Sequence, residues 1–253
     1  MKLFALSISM IAAMLTQSIC AQTFNDETIT YKVMYKWGLI NKQAGDAALT
    51  IKNVGDNYET QLVAKSASWA DQFYMVRDTL NGRIQKDGFL PLFYEKIAHE
   101  GKDFKHDVVN YSRNEDTVIG YCTRISRKDG KKNTTKKEHV ISATGQTVDM
   151  LSVYYYMRSL DYPNMEKDQI TTLNIFSGKR KEILTIKYHG EETITYDKKS
   201  HQCYHISFTF TSDGNKKTSD DMDAWISTDA RRIPLKLEGT LPVGKVQCFY
   251  TGG

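Results

Sequence analysis

The stretch Gln146-Thr-Val-Asp-Met-Leu-Ser-Val-Tyr-Tyr-Tyr-Met-Arg-Ser-Leu160 is the one long segment beyond residue 21 that predicts a helix. Neither Gly nor Pro interrupts it before Pro163. Val148, Leu151 and Tyr155 form an apolar stripe at helical spacing, and most of the remaining positions are also apolar. A helix that is apolar on nearly every side is usually buried. We therefore predict a buried or capping helix at about residues 146–160.

Polar side chains at the ends of this segment suit structural roles. Thr147 is the expected N-terminal cap, Asp149 adds a negative charge to the first turn, and Arg158 adds a positive charge to the last. Ser152 follows Asp149 by three residues, which would suit a nucleophile, but the sequence places no histidine base beside it. We therefore assign structural roles to Asp149, Ser152 and Arg158.

Segments with alternating apolar and polar residues lie on both sides of the predicted helix. The clearest, Ile29–Trp37, alternates over nine residues. Gly55–Asn57 supplies a tight turn between two further strands. Ser68–Met75 breaks the alternation and predicts one helical turn carrying Trp69 and Phe73. About a dozen or more strands at hairpin spacing predict a mainly β fold, a large antiparallel curved sheet or barrel with one helix.

The N-terminal residues 1–21 have the pattern of a secretory signal. A basic residue precedes the apolar run Leu3–Leu15, and small residues lead to a cleavage site after Ala21. The run is too short for a membrane span, and no later run approaches that length. Lipid attachment at Cys20 is the weaker alternative, because Ile19 stands where a lipoprotein signal has a small residue. We predict an exported protein of the periplasm or cell envelope.

The rest of the chain, residues 22–253, predicts a single β-barrel-like domain, because no low-complexity linker divides it. The formal net charge of the whole chain is +4, too small to indicate a nucleic-acid partner. Arg127–Lys137 carries six basic residues around Asp129 and Gly130. Such a run is more often a solvated hairpin tip than an anion-binding patch, and both alternatives stay open.

Three cysteines remain beyond the signal, namely Cys122, Cys203 and Cys248. An odd count leaves at least one thiol without an intramolecular partner. We expect three buried apolar thiols. A disulfide between Cys203 and Cys248 is the alternative if their strands are neighbours.

No catalytic or metal-binding motif is present in the sequence. Cys-x-x-Cys, His-Glu-x-x-His, Gly-x-Ser-x-Gly and a Gly-rich phosphate loop are all missing. His201 and His205 are four residues apart, but in a strand this spacing separates them by roughly 13 Å. The carboxylates of Asp220, Asp221 and Asp223 leave a calcium site as an alternative to a solvated strand entry. We predict no catalytic residue, no metal and no cofactor.

Aromatic side chains are the candidate ligand-binding residues. Trp37, Tyr155 and Trp225 are candidate walls of an apolar cavity, because curved sheets with a helix over the opening commonly enclose apolar ligands. The alternative is that these residues are core.

Four sets of residues resemble one protein family. They are Tyr35-Lys-Trp-Gly38 with Ala44-Gly-Asp-Ala47, Leu90-Pro-Leu-Phe93, Asp149-Met-Leu-Ser-Val-Tyr-Tyr-Tyr-Met-Arg158, and Trp225-Ile-Ser-Thr-Asp-Ala-Arg-Arg-Ile-Pro234 followed by Glu238 and Gly244-Lys-Val246. In this order they are similar to the domain of unknown function 3108 family of exported bacterial proteins. The resemblance covers essentially the whole mature chain.

The resemblance implies an envelope protein with an antiparallel barrel-like fold and no assigned activity. Its architecture is similar to that of periplasmic carriers of lipoproteins, which hold acyl chains in a half-open barrel closed by helices. The family has no catalytic residues to transfer to this chain. Among its recurring positions, Pro234 is expected on a strand at the edge of a sheet.

Three functional hypotheses follow. The first is a non-enzymatic exported envelope protein that binds a lipid or another apolar or amphipathic ligand. The second is a structural or scaffolding module that binds envelope proteins or polysaccharide. The third is a hydrolase of unknown type.

Overall fold

The structure is a computed structural model that describes residues 22–212, 219 and 221–253. The predicted signal segment, Cys20 and Asp220 lie outside these residues. The described part of the chain forms fifteen strands and two α-helices, with a 3₁₀ turn at Tyr162–Asn164. The elements in chain order are β1 Glu27–Trp37, β2 Ile40–Val54, β3 Asn57–Ser66, α1 Ser68–Tyr74, β4 Val76–Gln85, β5 Pro91–Glu100, β6 Asp103–Asn114, β7 Thr117–Arg127, β8 Thr135–Thr144, β9 Thr147–Asp149, α2 Ser152–Ser159, β10 Ile170–Phe176, β11 Lys181–Tyr196, β12 Lys199–Ser212, β13 Met222–Ser227, β14 Pro234–Thr240 and β15 Lys245–Gly252.

All of these strands belong to one sheet, which confirms the predicted mainly β fold. Consecutive strands pair from β1 to β8 and from β9 to β15, and β1 pairs with β15. The β9–β10 pair is parallel and the other pairs of described strands are antiparallel. The two edges of the sheet, β8 and β9, meet where the side-chain amide of Asn174 donates to the carbonyls of Thr144 and Gln146. The sheet therefore forms a nearly closed barrel.

The central helix α2 is shorter than the predicted 146–160 and begins at Ser152. Thr147–Asp149 is extended because it pairs in parallel with Asn174–Phe176. Asp149, rather than Thr147, caps the helix: its Oδ1 accepts the backbone N–H groups of Leu151 and Ser152, both at 2.7 Å. The Ser152 hydroxyl in turn accepts the N–H of Asp149 at 2.8 Å. These reciprocal bonds satisfy donors that a helix start leaves free.

Every residue of α2 is buried, which agrees with its apolar character. Tyr154 and Tyr155 pack into one cluster with side chains that come mostly from β1 to β8. Val153, Tyr156 and Met157 pack into a second cluster with side chains from β10 to β13. The helix thus fills the space between the two halves of the wrapped sheet.

Arg158 holds the end of α2 and does more than complement the helix dipole. Its side chain is 1% exposed, and Nη1 lies 2.6 Å from Oε1 of Glu27 on β1. It also donates to the carbonyl oxygens of Arg231 and Arg232 in the β13–β14 connection, and its guanidinium lies 4.5 Å from the ring centroid of Phe24. Two of the motifs behind the family resemblance therefore contact each other through Arg158.

The expectation that Pro234 lies on an edge strand is wrong, because β14 lies between β13 and β15. Pro234 is the first residue of β14, a position where a missing backbone N–H is tolerated. Its carbonyl accepts the Tyr31 hydroxyl at 2.8 Å.

The cysteines Cys122, Cys203 and Cys248 are free thiols. Cys203 on β12 and Cys248 on β15 are separated by two intervening strands, so the alternative of a disulfide between them is excluded. Burial raises the pKa of each thiol to about 11. Cys122 and Cys203 are buried as expected, whereas Cys248 is only partly buried and packs against the core.

Candidate functional site

An apolar groove with a volume of about 680 Å³ lies at one end of the sheet, beside α1. This volume falls within the range of about 300–1,000 Å³ that small-molecule sites occupy. The groove is lined by strands β1 to β4 and β15, by helix α1 and by the β14–β15 turn. The aromatic and aliphatic lining residues are Val33, Tyr35, Trp37, Ile40, Ala44, Ala64, Trp69, Ala70, Phe73, Tyr74, Val76, Leu241 and Val246.

A β-bulge positions α1 over the strands. The register of β1 and β2 shifts so that Ala44 lacks a partner on β1, and its carbonyl accepts the N–H of Ala67 at 2.7 Å. The indole N–H of Trp69 donates to the neighbouring carbonyl of Gln43, also at 2.7 Å. At Gly45 a Cβ atom would collide with the carbonyl of Lys65, so a glycine is needed for this close approach.

The other end of α1 is held by polar contacts. The Ser66 hydroxyl accepts the N–H of Val76 at 2.7 Å, where the chain leaves the helix. Arg77 pairs with Asp71 of α1 at 2.6 Å. Hydrogen bonds from Arg77 and Ser66 lower the pKa of Asp71, so this carboxylate stays charged. All seven residues of α1 are at least partly exposed, so tethers rather than core burial keep this short helix in place.

The rim of the groove exposes an unusual amount of apolar surface. Thirteen large hydrophobic side chains are exposed among the described residues, and seven of them belong to the β1–β2 hairpin, α1 and the β14–β15 turn. We call these seven the apolar tip: Trp37, Leu39, Ile40, Phe73, Tyr74, Leu241 and Val243. Leu39 is fully exposed in a two-residue turn, where polar residues are usual. Exposed apolar patches of this kind mark interaction sites.

The predicted wall residues lie in different places. Trp37 lines the groove and is 54% exposed. Tyr155 is buried against Phe24, and its hydroxyl donates to a β2 carbonyl at 3.2 Å. Trp225 stacks on His205, and the Lys236 ammonium lies 3.9 Å from the Trp225 ring centroid. The structure therefore does not bring these three residues to one cavity.

Sequence reasoning had noted the α1 aromatics Trp69 and Phe73 without assigning them to a site. One sequence signal could have located this site. In the turn Gly38–Leu39, an apolar residue lies at a hairpin end, where contact with solvent is expected.

A second polar constellation lies on β11 to β13. His205 contacts Glu192 through Nδ1 at 3.0 Å and Asp223 through Nε2 at 2.9 Å. His189 hydrogen-bonds to the Ser207 hydroxyl at 2.7 Å, and burial, followed by the nearby His205, lowers the pKa of His189. None of these five residues lines the groove.

The described residues contain no group of three or more His, Cys, Asp or Glu side chains arranged to hold a metal ion. Of the carboxylates considered for a calcium site, Asp223 contacts His205, as given above, and Asp220 is not among the described residues. Ser152 is fully buried, and its hydroxyl is used at the start of α2.

A single sheet of fifteen described strands wrapped around a buried helix defines a barrel-like β protein. The fold is similar to a beta-barrel-like protein of domain of unknown function DUF1849 from Brucella abortus, with a TM-score of 0.60, 11% identity, and 90% of this chain and 96% of that chain covered. The family model of "Protein of unknown function (DUF3108)" matches residues 30–249. The chain belongs to this family, as the sequence resemblance indicated.

Two further comparisons add little. A "putative exported protein with YmcC-like fold" from Bacteroides fragilis covers 92% of this chain and all of its own length, but with a TM-score of 0.34 and 8% identity it carries no argument. No curated protein matches the sequence. Within residues 22–212, 219 and 221–253, no helix is long and apolar enough to cross a membrane.

Proposed function

We propose that this protein is a non-enzymatic, exported binding protein that holds an apolar or amphipathic ligand, such as a lipid or a lipidated segment, in the groove beside α1. The observation that carries the proposal is the groove itself, because thirteen of its seventeen lining residues are aromatic or aliphatic. Export rests on the signal-like segment 1–21 and on the family resemblance.

The groove suits a ligand better than the surroundings of α2 do. Side chains of α2 such as Tyr155 and Met157 are packed into the two core clusters, so a ligand there would have to displace the core. In the groove, an acyl chain would cover side chains that water now contacts. Each buried methylene would contribute about 0.8 kcal/mol.

The groove also has a polar end that suits the head group of an amphipathic ligand. Lys65 and Asp46 are exposed residues of its lining, on facing positions of β3 and β2. Lys42 lies beside the groove, with its ammonium 4.6 Å from the ring centroid of Trp69. An amphipathic ligand can therefore place its chain against Trp69 and its head group near the two lysines.

Filling the groove tests this function directly. Ala70→Phe places a ring in the groove from α1, and Val140→Phe adds a ring at an exposed position on β8. We expect a dansyl-labelled fatty acid to bind the unaltered protein and Val140→Phe equally, and to bind Ala70→Phe at least tenfold more weakly. Native mass spectrometry of the purified protein should show bound lipid that Ala70→Phe lacks. Equal binding by both variants, or no binding by any, would contradict the proposal.

A scaffolding module is the second candidate, because the apolar tip is also suited to a protein partner. It predicts that Ala70→Phe leaves function intact and that changes on the tip abolish it. Neither the comparisons nor the groove favours the third hypothesis, a hydrolase.

A further inference from the structure

We infer that the apolar tip and the basic hairpin next to it dock on the surface of an anionic lipid membrane. The first observation is that parts of the tip do not line the groove. Leu39 is fully exposed and Val243 is 53% exposed, and both lie outside the lining. A ligand held in the groove would leave these side chains in water, so they require another partner.

The tip is continuous with a strongly basic surface. We call Arg127–Lys137 the basic hairpin; it joins β7 to β8 and carries the six basic residues noted in the sequence. Lys128 pairs at 2.5 Å with Asp103, the first residue of β6 after the β5–β6 turn. In the same turn, Gly101 lies so close to Tyr74 of the tip that an added Cβ atom would come within 3.3 Å of the ring. The contacts thus run without interruption from α1 to the hairpin.

The charge near the tip is positive. Lys36, Lys42 and Lys65 are exposed and form no ion pair with any described residue. Asp71 is already neutralised by Arg77, which leaves Asp46 as the one exposed acidic residue of the groove lining against these three lysines. In the basic hairpin, Lys131 and Lys132 line a polar surface pocket that contains no acidic residue. An anionic surface is therefore the complementary partner.

Aromatic and aliphatic side chains flanked by lysines are typical of segments that lie in the interface of a bilayer. The apolar side chains enter the boundary between head groups and acyl chains, and each nearby basic residue contributes electrostatic attraction to anionic lipids. Docking in this orientation would bring the groove mouth to the depth of the acyl chains. The inference thus goes beyond the proposed ligand site, and it stands on side chains outside the groove.

Co-sedimentation with vesicles tests the docking. The full exported chain is mixed with vesicles of phosphatidylglycerol and phosphatidylcholine, or of phosphatidylcholine alone, at low and high salt. We expect binding to the anionic vesicles that weakens with salt. Leu39→Asp should weaken it at least tenfold, and Lys131→Glu with Lys132→Glu should weaken it by about fivefold or more for each charge removed.

Matched controls carry the same changes at the other end of the sheet or on another strand. Val140→Asp replaces an exposed apolar residue on β8, and Lys198→Glu with Lys199→Glu alters the β11–β12 hairpin. Both should bind within twofold of the unaltered protein. Ala70→Phe should still bind vesicles although it no longer binds the fatty acid. This variant therefore distinguishes a failure of the docking inference from a failure of the proposed ligand site.

Three outcomes would overturn the inference. The first is vesicle binding that the tip and hairpin variants leave unchanged. The second is equal binding to neutral and anionic vesicles. The third is no vesicle binding together with a dimer in light scattering that Leu39→Asp disrupts, which would show that a second copy of the chain covers the tip.

Discussion

The two helices of this protein contain similar aromatic residues but occupy opposite environments. In α2, Tyr154, Tyr155 and Tyr156 are all at most 7% exposed. In α1, Phe73 is 82% exposed and Tyr74 is 57% exposed. This difference in exposure shows that aromatic content alone does not identify a helix that belongs to the core. What separates the helices is how the sheet receives them: it wraps around α2 and only tethers α1 at the ends.

The comparison separates the groups that maintain the fold from those available for binding. If α2 carries the stability, changes in its polar contacts should unfold the protein. If α1 is tethered for binding, changes in its aromatic side chains should affect ligands and leave stability nearly unchanged. The predictions below test this division in order of expected effect.

The largest effect should come from Arg158→Ala, which removes a buried cation, the closer of the two partners of Glu27, and the donor to two carbonyl groups. Breaking a buried ion pair from one side costs about 3–5 kcal/mol. Urea unfolding of the purified variants measures this loss. The control Arg231→Ala removes the partly exposed second partner of Glu27 and should cost less than about 1 kcal/mol. Equal effects at both positions would refute the role of Arg158.

A smaller loss should follow Asp149→Ala, which removes the acceptor for the N–H groups of Leu151 and Ser152. Losing a helix cap costs about 1–2 kcal/mol of unfolding free energy. Asp149→Asn keeps one side-chain oxygen as acceptor and should retain most of the stability. If thermal or urea unfolding shows that Asn is as damaging as Ala, the capping explanation is wrong.

The same carboxyl group predicts a pH effect of about 1 kcal/mol. Burial raises the pKa of Asp149 to about 6, although the N–H groups of Ser152 and Leu151 oppose this shift. Because the pKa in the folded protein lies above the unfolded value, the folded state takes up the proton first as pH falls through 6, and the unfolding free energy rises. Between pH 7 and pH 5 the rise from this group is about 1 kcal/mol.

Other groups also titrate in this interval, so the measured quantity is the difference between the unaltered protein and Asp149→Asn. The variant should lack this rise in stability on going from pH 7 to pH 5. An identical pH dependence of the two proteins would contradict this prediction. It would show either that Asp149 is already protonated at pH 7 or that its pKa is the same in the folded and unfolded protein.

The smallest change in stability is expected for Phe73→Ala in α1, within about 0.5 kcal/mol, because the ring is mostly in water. The variant should nevertheless bind the dansyl-labelled fatty acid several times more weakly, since Phe73 lines the groove. A loss of more than about 1 kcal/mol in urea unfolding would place α1 with α2 as a part of the core.

Local pattern was enough to predict much of the fold. The alternation in Ile29–Trp37 and the turn at Gly55–Asn57 predicted β1 and the β2–β3 hairpin, because these depend on neighbouring residues. The helical turn around Trp69 and Phe73 was also confirmed. The start of β8, Thr135–Lys137, was taken as part of the basic run Arg127–Lys137, because its charged residues hide the alternation.

The errors arise where distant residues decide the local structure. The helical spacing of Val148 with Leu151 and Tyr155 extended the predicted helix over Thr147–Asp149, yet this segment pairs with residues 174–176 and becomes a strand. Pro234 suggested an edge, but its place in the sheet depends on the pairing of β14 with β15. The groove could not be predicted, because Trp37, Trp69 and Leu241 become neighbours only through the order of the strands.

The pairing of β1 with β15 has a consequence for folding kinetics. Thr30 and Thr251, 221 residues apart in sequence, hydrogen-bond across this pair. The hairpins from β1 to β8 can form early from local contacts, whereas this long-range pair must close a very large loop. Until β15 arrives, one side of β1 is an open strand edge that another unfolded molecule can join. Aggregation during refolding should therefore begin at β1 and should be suppressed by conditions that speed the arrival of the last strand.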